Sequence, residues 1–469
     1  MDRRSPDRAS NGFQRVLPIL GAGRCNGVRP QCICSVNQRR AMSERPARYR
    51  DVLAVGEFRV LWLAQVQSRI GDQFARVALS LLVFDRTGSA GITALVYAMT
   101  LLPPLITAPL LAGIADRYSR RTVMAATELF RAAVSALMII PSLPLPVLAA
   151  LVLLVTCPQP LFSAARTATT PRVLPGPLFP VGQGLMTATD NIAQILGFTL
   201  GGALVAATGS PHLALAVNTA TFALSALLLR WGLRPHVPDP EPGGRSGSRS
   251  GFALAGIRYV AADRRLLGLA SLTWIFGCFV VPEALAAPYA AQIGAGEAAV
   301  GWLMAADVIG AAVGTFLVAR FRPVLRRRLT VPLAAATGLP LVATVAVPDL
   351  PLTVALWTLS GLLGAYMTLA QVAFTERVPD GMRARAIGFA AAGLQTAQGL
   401  GMAVAGVLAE AVTPAVAIAV CGAIGSAAAL GIGLYARIGR DPAAVQPPAA
   451  APLAKAGAAA VPTSAERRD

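Results

Sequence analysis

Long apolar runs separated by short arginine-bearing loops constrain this chain more than any other feature. Twelve such runs follow one another, at about 60–84, 91–112, 122–141, 145–164, 183–208, 213–233, 266–290, 298–319, 330–347, 352–374, 388–410 and 414–436. Each is about as long as the helix of roughly 20 residues that crosses the hydrocarbon core of a bilayer. Strands of a membrane barrel would instead run for about 10 residues in strict alternation, and the sequence has no such pattern. Of the 469 residues, 55% are hydrophobic and 14% charged. A soluble domain carries about 25% charged residues, so a soluble fold would have nowhere to put this apolar surface. The sequence predicts an all-α integral membrane protein with twelve transmembrane helices.

The loops carry an orientation signal. Arg117, Arg120 and Arg121 follow the second run, and Arg166 and Arg172 follow the fourth. Arg234, Arg245, Arg249, Arg258, Arg264 and Arg265 follow the sixth; Arg320, Arg322, Arg326, Arg327 and Arg328 the eighth; Arg377, Arg383 and Arg385 the tenth. The odd-numbered loops hold only Arg86. Arginine collects on the cytoplasmic side of a membrane protein, so both termini are expected to be cytoplasmic in a multi-pass protein of the cell membrane. Adding or removing one run would scramble the alternation. A net charge of +18 can mark nucleic-acid binding, but here the basic residues sit between apolar runs, so no nucleic-acid partner is expected.

Composition also divides the chain. Residues 1–56 read as a disordered basic leader, with Met42 the expected true start and residues 1–41 without a role. Residues 57–233 form an N-terminal six-helix half. Residues 234–265 form a cytoplasmic linker rich in Pro, Gly, Ser and Arg, with a short amphipathic helix expected from Phe252 to Arg265. Residues 266–437 form the C-terminal half, and 438–469 an Ala- and Pro-rich disordered tail. The two halves repeat. Gln194, Gly197, Gly202 and Leu204 recur as Gln398, Gly401, Gly406 and Leu408, at a constant offset of 204 residues. Parallel halves of this kind are one transporter layout.

After the second run stands Ala112-Gly113-Ile114-Ala115-Asp116-Arg117-Tyr118-Ser119-Arg120-Arg121. It resembles the loop signature of the major facilitator superfamily, with Asp116, Arg117, Arg120 and Arg121 in the matching positions. Ala112 and Ser119 stand where that signature has glycine. The resemblance covers roughly residues 50–437 and implies the major facilitator fold, with two parallel six-helix halves. Ser68-Arg69-Ile70-Gly71-Asp72, Arg86-Thr87-Gly88-Ser89, Gly256-Ile257-Arg258-Tyr259 and Val378-Pro379-Asp380 are similar to the drug and siderophore exporters of the enterobactin-exporter and macrolide-efflux type. Gly197, Gly201 and Gly202 match part of the glycine-rich signature of proton antiporters, while Phe198 replaces its proline. In the bland reading, Gly197 with Gly201, and Gly310 with Gly314, are helix-packing faces.

Ionisable residues inside the runs are costly and face a cavity or a partner. They are Arg69, Asp72, Arg76, Glu128, Arg131, Asp190, Glu283 and Asp307. Asp72 has Arg69 three residues before it and Arg76 four after, on one helical face, so a switching ion pair within the first helix is expected. Glu283 and Asp307 have no arginine within a helical turn and are the candidates for a coupling proton. Glu283 follows Pro282, where a broken helix turn is expected to open backbone towards a cavity. Tyr97, Trp274, Gln371 and Gln395 are candidates to line a substrate cavity. There is no nucleotide-binding loop and no catalytic elbow, and His212 and His236 are the only histidines. Neither an enzyme nor a cofactor nor a metal is expected. The expected function is secondary active export of small amphipathic or hydrophobic compounds, coupled to protons, by a monomer in the bilayer. The alternatives are a nutrient uptake permease of the same fold, or a non-transporting membrane receptor or enzyme.

Overall fold

The computed structural model describes residues 48–101, 107, 118–235, 249–346, 348–436 and 438. The expectations for residues 1–41, Met42, Asp116, Arg117 and the tail from 439 lie outside the described residues. The described residues from Tyr49 onward form one compact unit. Among the described residues it is helical throughout, with no strand. In chain order the long stretches are α1 (Gly56–Thr87), α2 (Ala90–Ala98), α3 (Arg120–Leu137), α4 (Leu145–Val173), α5 (Leu178–Thr208) and α6 (Pro211–Gly232). They continue with α7 (Arg264–Gln292), α8 (Glu297–Val318), α9 (Pro323–Ala346), α10 (Leu350–Arg377), α11 (Asp380–Ala411) and α12 (Pro414–Ala436). A short helix, Arg249–Ala262, lies near the expected amphipathic one, with Val260 fully buried.

Eight stretches among the described residues, α4 to α10 and α12, are long and apolar enough to cross a membrane by composition alone. α2 is described over only nine residues, and the other three are more polar. α1 carries Arg69, Asp72 and Arg76; α3 carries Glu128 and Arg131; α11 carries Gln395 and Gln398. Among these helices Arg131 bonds Asp72 and Glu128, and Arg76 and Gln398 line a cavity.

Local chemistry fixes the helix ends. α1 stops at Gly88, whose φ of +61° is open to glycine at little cost, and whose N–H donates to the Phe84 carbonyl at 2.7 Å. Gly209 ends α5 in the same way, at φ +61°. Ser89 caps α2 by accepting from the Ile92 N–H at 3.0 Å, and Asp349 caps α10 by accepting from Leu352 at 3.2 Å. Pro282 marks a break: α7 is helical to Trp274, resumes from Phe276 to Phe279, and restarts at Val281.

Helices in lipid associate mainly through close packing of small residues and dispersion, and the repeated glycines supply it. A Cβ on Gly197 would lie 2.9 Å from the Ile70 carbonyl of α1, and one on Gly401 would run into the Gly277 carbonyl of α7. The repeat therefore sets α5 on α1 and α11 on α7 by the same device. Gly310 and Gly314 likewise press α8 onto the α10 backbone at Thr358 and Leu362. Two further crossings join the repeats. A Cβ on Gly202 of α5 would lie 2.8 Å from the Gly301 Cα of α8, and one on Gly406 of α11 would lie 3.2 Å from the Gly91 Cα of α2. Both crossings lie towards the end of the bundle that carries Gly88 and Gly209.

Candidate functional site

Two groups of ionisable side chains lie in the bundle. The first is held by α1 and α3. Arg131 donates from Nη2 to Asp72 Oδ1 at 2.7 Å, from Nη1 to Glu128 Oε1 at 3.1 Å, and from Nε to the Val155 carbonyl at 3.2 Å. Its guanidinium lies 4.1 Å from the centre of the Phe222 ring. Glu128 is 0% exposed and Arg131 4%. One cation holds two carboxylates here, with most of its N–H groups directed to partners.

The expected pairing of Asp72 with Arg69 or Arg76 is not the arrangement found. Residues three before and four after Asp72 share its face, yet their long side chains fan out to different helices. Arg69 turns to α5, where its Nε lies 4.0 Å from Asp190 Oδ1 and Gln65 donates to both Asp190 oxygens at 2.9 and 3.1 Å. Arg76 turns to α2, 5.8 Å from the centre of the Tyr97 ring.

The second group surrounds a cavity of about 250 Å³. Its wall includes Arg76 of α1, Asn191 and Gln194 of α5, Glu283 of α7, Asp307 of α8 and Gln398 of α11, with Phe276, Val308 and Met402 as apolar surface. The Tyr97 hydroxyl donates to Glu283 Oε2 at 3.0 Å. Glu283 sits two residues into the helix that restarts after the break, next to Pro282, and its N–H donates to the Val280 carbonyl at 3.1 Å. The break carries this carboxyl into the cavity wall. One arginine thus shares the cavity with two carboxyls. Neither carboxyl lies on the same helix as Arg76.

The remaining candidates lie apart from this cavity. Trp274 donates its indole N–H to the Ala390 carbonyl at 3.0 Å and meets Phe389 edge-on, with Gly393 against its ring. Gln371 is exposed and Gln395 half-buried, and neither is on the cavity wall. Tyr97 reaches the cavity through Glu283. Of the loop signature, Arg120 donates to the Ala168 carbonyl, and Arg121 Nη1 donates to the Leu233 carbonyl at 3.3 Å. Asn191, Gln194 and Gln398 line the cavity without having been among the expected residues. The signal for two of them was present, since Gln194 and Gln398 are the first pair of the repeat. They meet at one cavity because the repeat brings α5 and α11 to face it from opposite halves.

Helices of both halves line one polar cavity, as in transporters built of parallel repeats such as those of the major facilitator superfamily. The chain belongs to the transmembrane secretion effector family of that superfamily, whose model matches residues 52–455. Over 370 residues it is 28% identical to the multidrug efflux pump Tap of Mycobacterium tuberculosis (strain ATCC 25618 / H37Rv), covering 75% of this chain and 87% of that protein. Over 287 residues it is 28% identical to an MFS-type transporter, y4rN, of Sinorhizobium fredii (strain NBRC 101917 / NGR234), covering 58% of this chain and 68% of that one. Among solved structures it is similar to the nucleoside transporter NupG, with a TM-score of 0.64 at 13% identity, covering 80% of this chain and 99% of that one. It is also similar to a bacterial homologue of the iron transporter ferroportin in an inward-facing state, with a TM-score of 0.62 at 15% identity, covering 81% and 98%. It is a multi-pass membrane transporter of small molecules and not an enzyme.

Proposed function

We propose that this transporter exports amphipathic small molecules from the cytoplasm by exchange with protons, acting as a monomer. The export reading leans on the family and on the efflux relative. The proton reading leans on one observation: a cavity in which Arg76 faces two carboxyls, Glu283 and Asp307. An uncompensated charge inside a membrane bundle is costly. With both carboxyls ionised the cavity carries one negative charge more than Arg76 balances. A proton, or a cationic group on the substrate, restores balance. Because Arg76 belongs to the first half and both carboxyls to the second, any movement of one half against the other changes their spacing. Proton binding and alternating access are then coupled through the same three side chains.

The arginine asymmetry supports cytoplasmic termini, and in this orientation the end bearing Gly88 and Gly209 faces outwards. Residues 57–233 and 266–437 are then the moving halves, with 234–265 between them. In reconstituted inverted vesicles, a cationic amphipathic dye is expected to accumulate when the vesicle interior is acid, and to stop when the gradient is collapsed. Accumulation that ignores the gradient would remove the proton-exchange reading.

A further inference from the structure

At the end bearing Gly88, the two halves are tied by a hydrogen-bonded contact that the cavity chemistry does not use. Glu410 stands at the last turn of α11. Its Oε1 accepts from the Ser89 hydroxyl at 2.5 Å and from the Gly91 N–H at 2.7 Å. Ser89 is the cap of α2, and Gly91 lies in its first turn. The first N–H groups of a helix have no partner within the helix, and a carboxylate near them gains from the helix dipole as well. A cap of this kind is commonly completed by a Glu or Gln three residues after the Ser. Here that position is Ile92, and the acid comes instead from 321 residues away.

Two further features fit the contact. A Cβ on Gly91 would lie 2.9 Å from the Glu410 Cγ, so glycine makes room for the carboxylate. One turn earlier in α11, Gly406 makes the close crossing with the same Gly91. The repeat-related crossing of α5 with α8 lacks the carboxylate and the side-chain cap. The residue 204 positions before Glu410 is Ala206, and α8 is preceded by Gly296, which caps it with no side chain. The two crossings thus share their glycines, and only one carries hydrogen bonds between side chain and partner helix at these positions.

We propose that Glu410 is a latch: a cap supplied by one half to a helix of the other, which holds this end closed and sets how often it opens. Opening the end separates α11 from α2. It breaks both hydrogen bonds, which lie at the exposed edge of the crossing, and releases a charge-assisted pair. The α5–α8 crossing separates without a comparable cost. The latch biases the cycle towards the state closed at this end, and its strength limits the rate at which that state is left.

The test uses the full-length transporter in liposomes, with its six native cysteines replaced and spin labels placed at Ala207 and Ala291. These exposed positions lie on opposite halves. Pulsed dipolar spectroscopy then reads the populations of closed and open distances at this end. Glu410→Ala is expected to raise the open-to-closed ratio about threefold, the scale of losing a solvent-exposed contact to a charged group. Ser89→Ala should shift it the same way by less, and should add little in the Glu410→Ala background, because partners in one contact are not additive. Glu410→Gln, which keeps an acceptor oxygen without the charge, should fall between. A purely structural role would lower thermal stability and leave the distances unchanged. If Glu410→Ala and Ser89→Ala both give the unaltered distance distribution, or if their effects simply add, the latch is refuted. Should Glu410→Ala fail to insert, Ser89→Ala decides the matter alone, since it probes the contact from the other half.

Discussion

The Asp72–Arg131–Glu128 group and the Arg76–Glu283–Asp307 group have the same composition, one arginine and two carboxyls, yet they are assembled differently. In the first, all three side chains belong to the N-terminal half and the arginine binds both acids directly. Glu128 and Arg131 are buried. On the proposed rocking of the halves, a group of this kind keeps its internal spacing. In the second, the arginine and the acids come from opposite halves and border a cavity of about 250 Å³. Composition alone does not make a coupling site. Its members must change their separation during the cycle, and must be reachable by substrate and proton.

The contrast breaks most visibly at Arg131. Arg131→Ala leaves Glu128 and Asp72 without their cation inside the bundle. Removing one partner of a buried ion pair costs about 3–5 kcal/mol. The variant is expected to accumulate poorly in the membrane and to lose thermal stability, read by fluorescence-detected size exclusion on heating. Arg76→Ala, by comparison, should insert normally and fail in transport. If the two variants are equally stable, the division into a structural and a working group is wrong.

A smaller effect sharpens the working group. Gln194→Ala and Gln398→Ala each remove one neutral hydrogen-bonding side chain from opposite walls of the cavity. A neutral hydrogen bond contributes about 0.5–1.5 kcal/mol. Each variant should therefore weaken apparent substrate affinity about two- to tenfold, for some substrates and not others, without altering stability. A panel of transported dyes measures it. A uniform loss across the panel would mean that these glutamines serve the conformational cycle rather than recognition.

Much of the fold was legible because its signals are local. Run length and turn glycines are each read within a few residues, and together they mark where helices run and stop. The repeat was legible too, and its meaning is now physical: Gly197 and Gly401 seat α5 and α11 on α1 and α7, while Gly202 and Gly406 cross to the other half. Side-chain partners were not legible. Asp72 has two arginines on its own helical face and bonds a third from α3, because helix spacing gives proximity in sequence but not direction in space. Glu283 was read as lacking a cationic neighbour, which holds within α7 alone. The fold brings Arg76 and Tyr97 towards it from the other half. The contact of Glu410 with Ser89 spans most of the chain and has no sequence pattern of its own.

The central claim is that the carboxyls facing Arg76 carry the coupling proton. The direct measurement is proton-driven export in reconstituted vesicles for Glu283→Gln and Asp307→Asn, each made singly, with Asp72→Asn alongside. At least one of the first two is expected to lose gradient-driven export by more than about tenfold, the scale of removing a general proton carrier's contribution, while still binding substrate or equilibrating it passively. If both keep full pH-dependent export and Asp72→Asn alone abolishes it, the coupling acid is Asp72 and the account is contradicted.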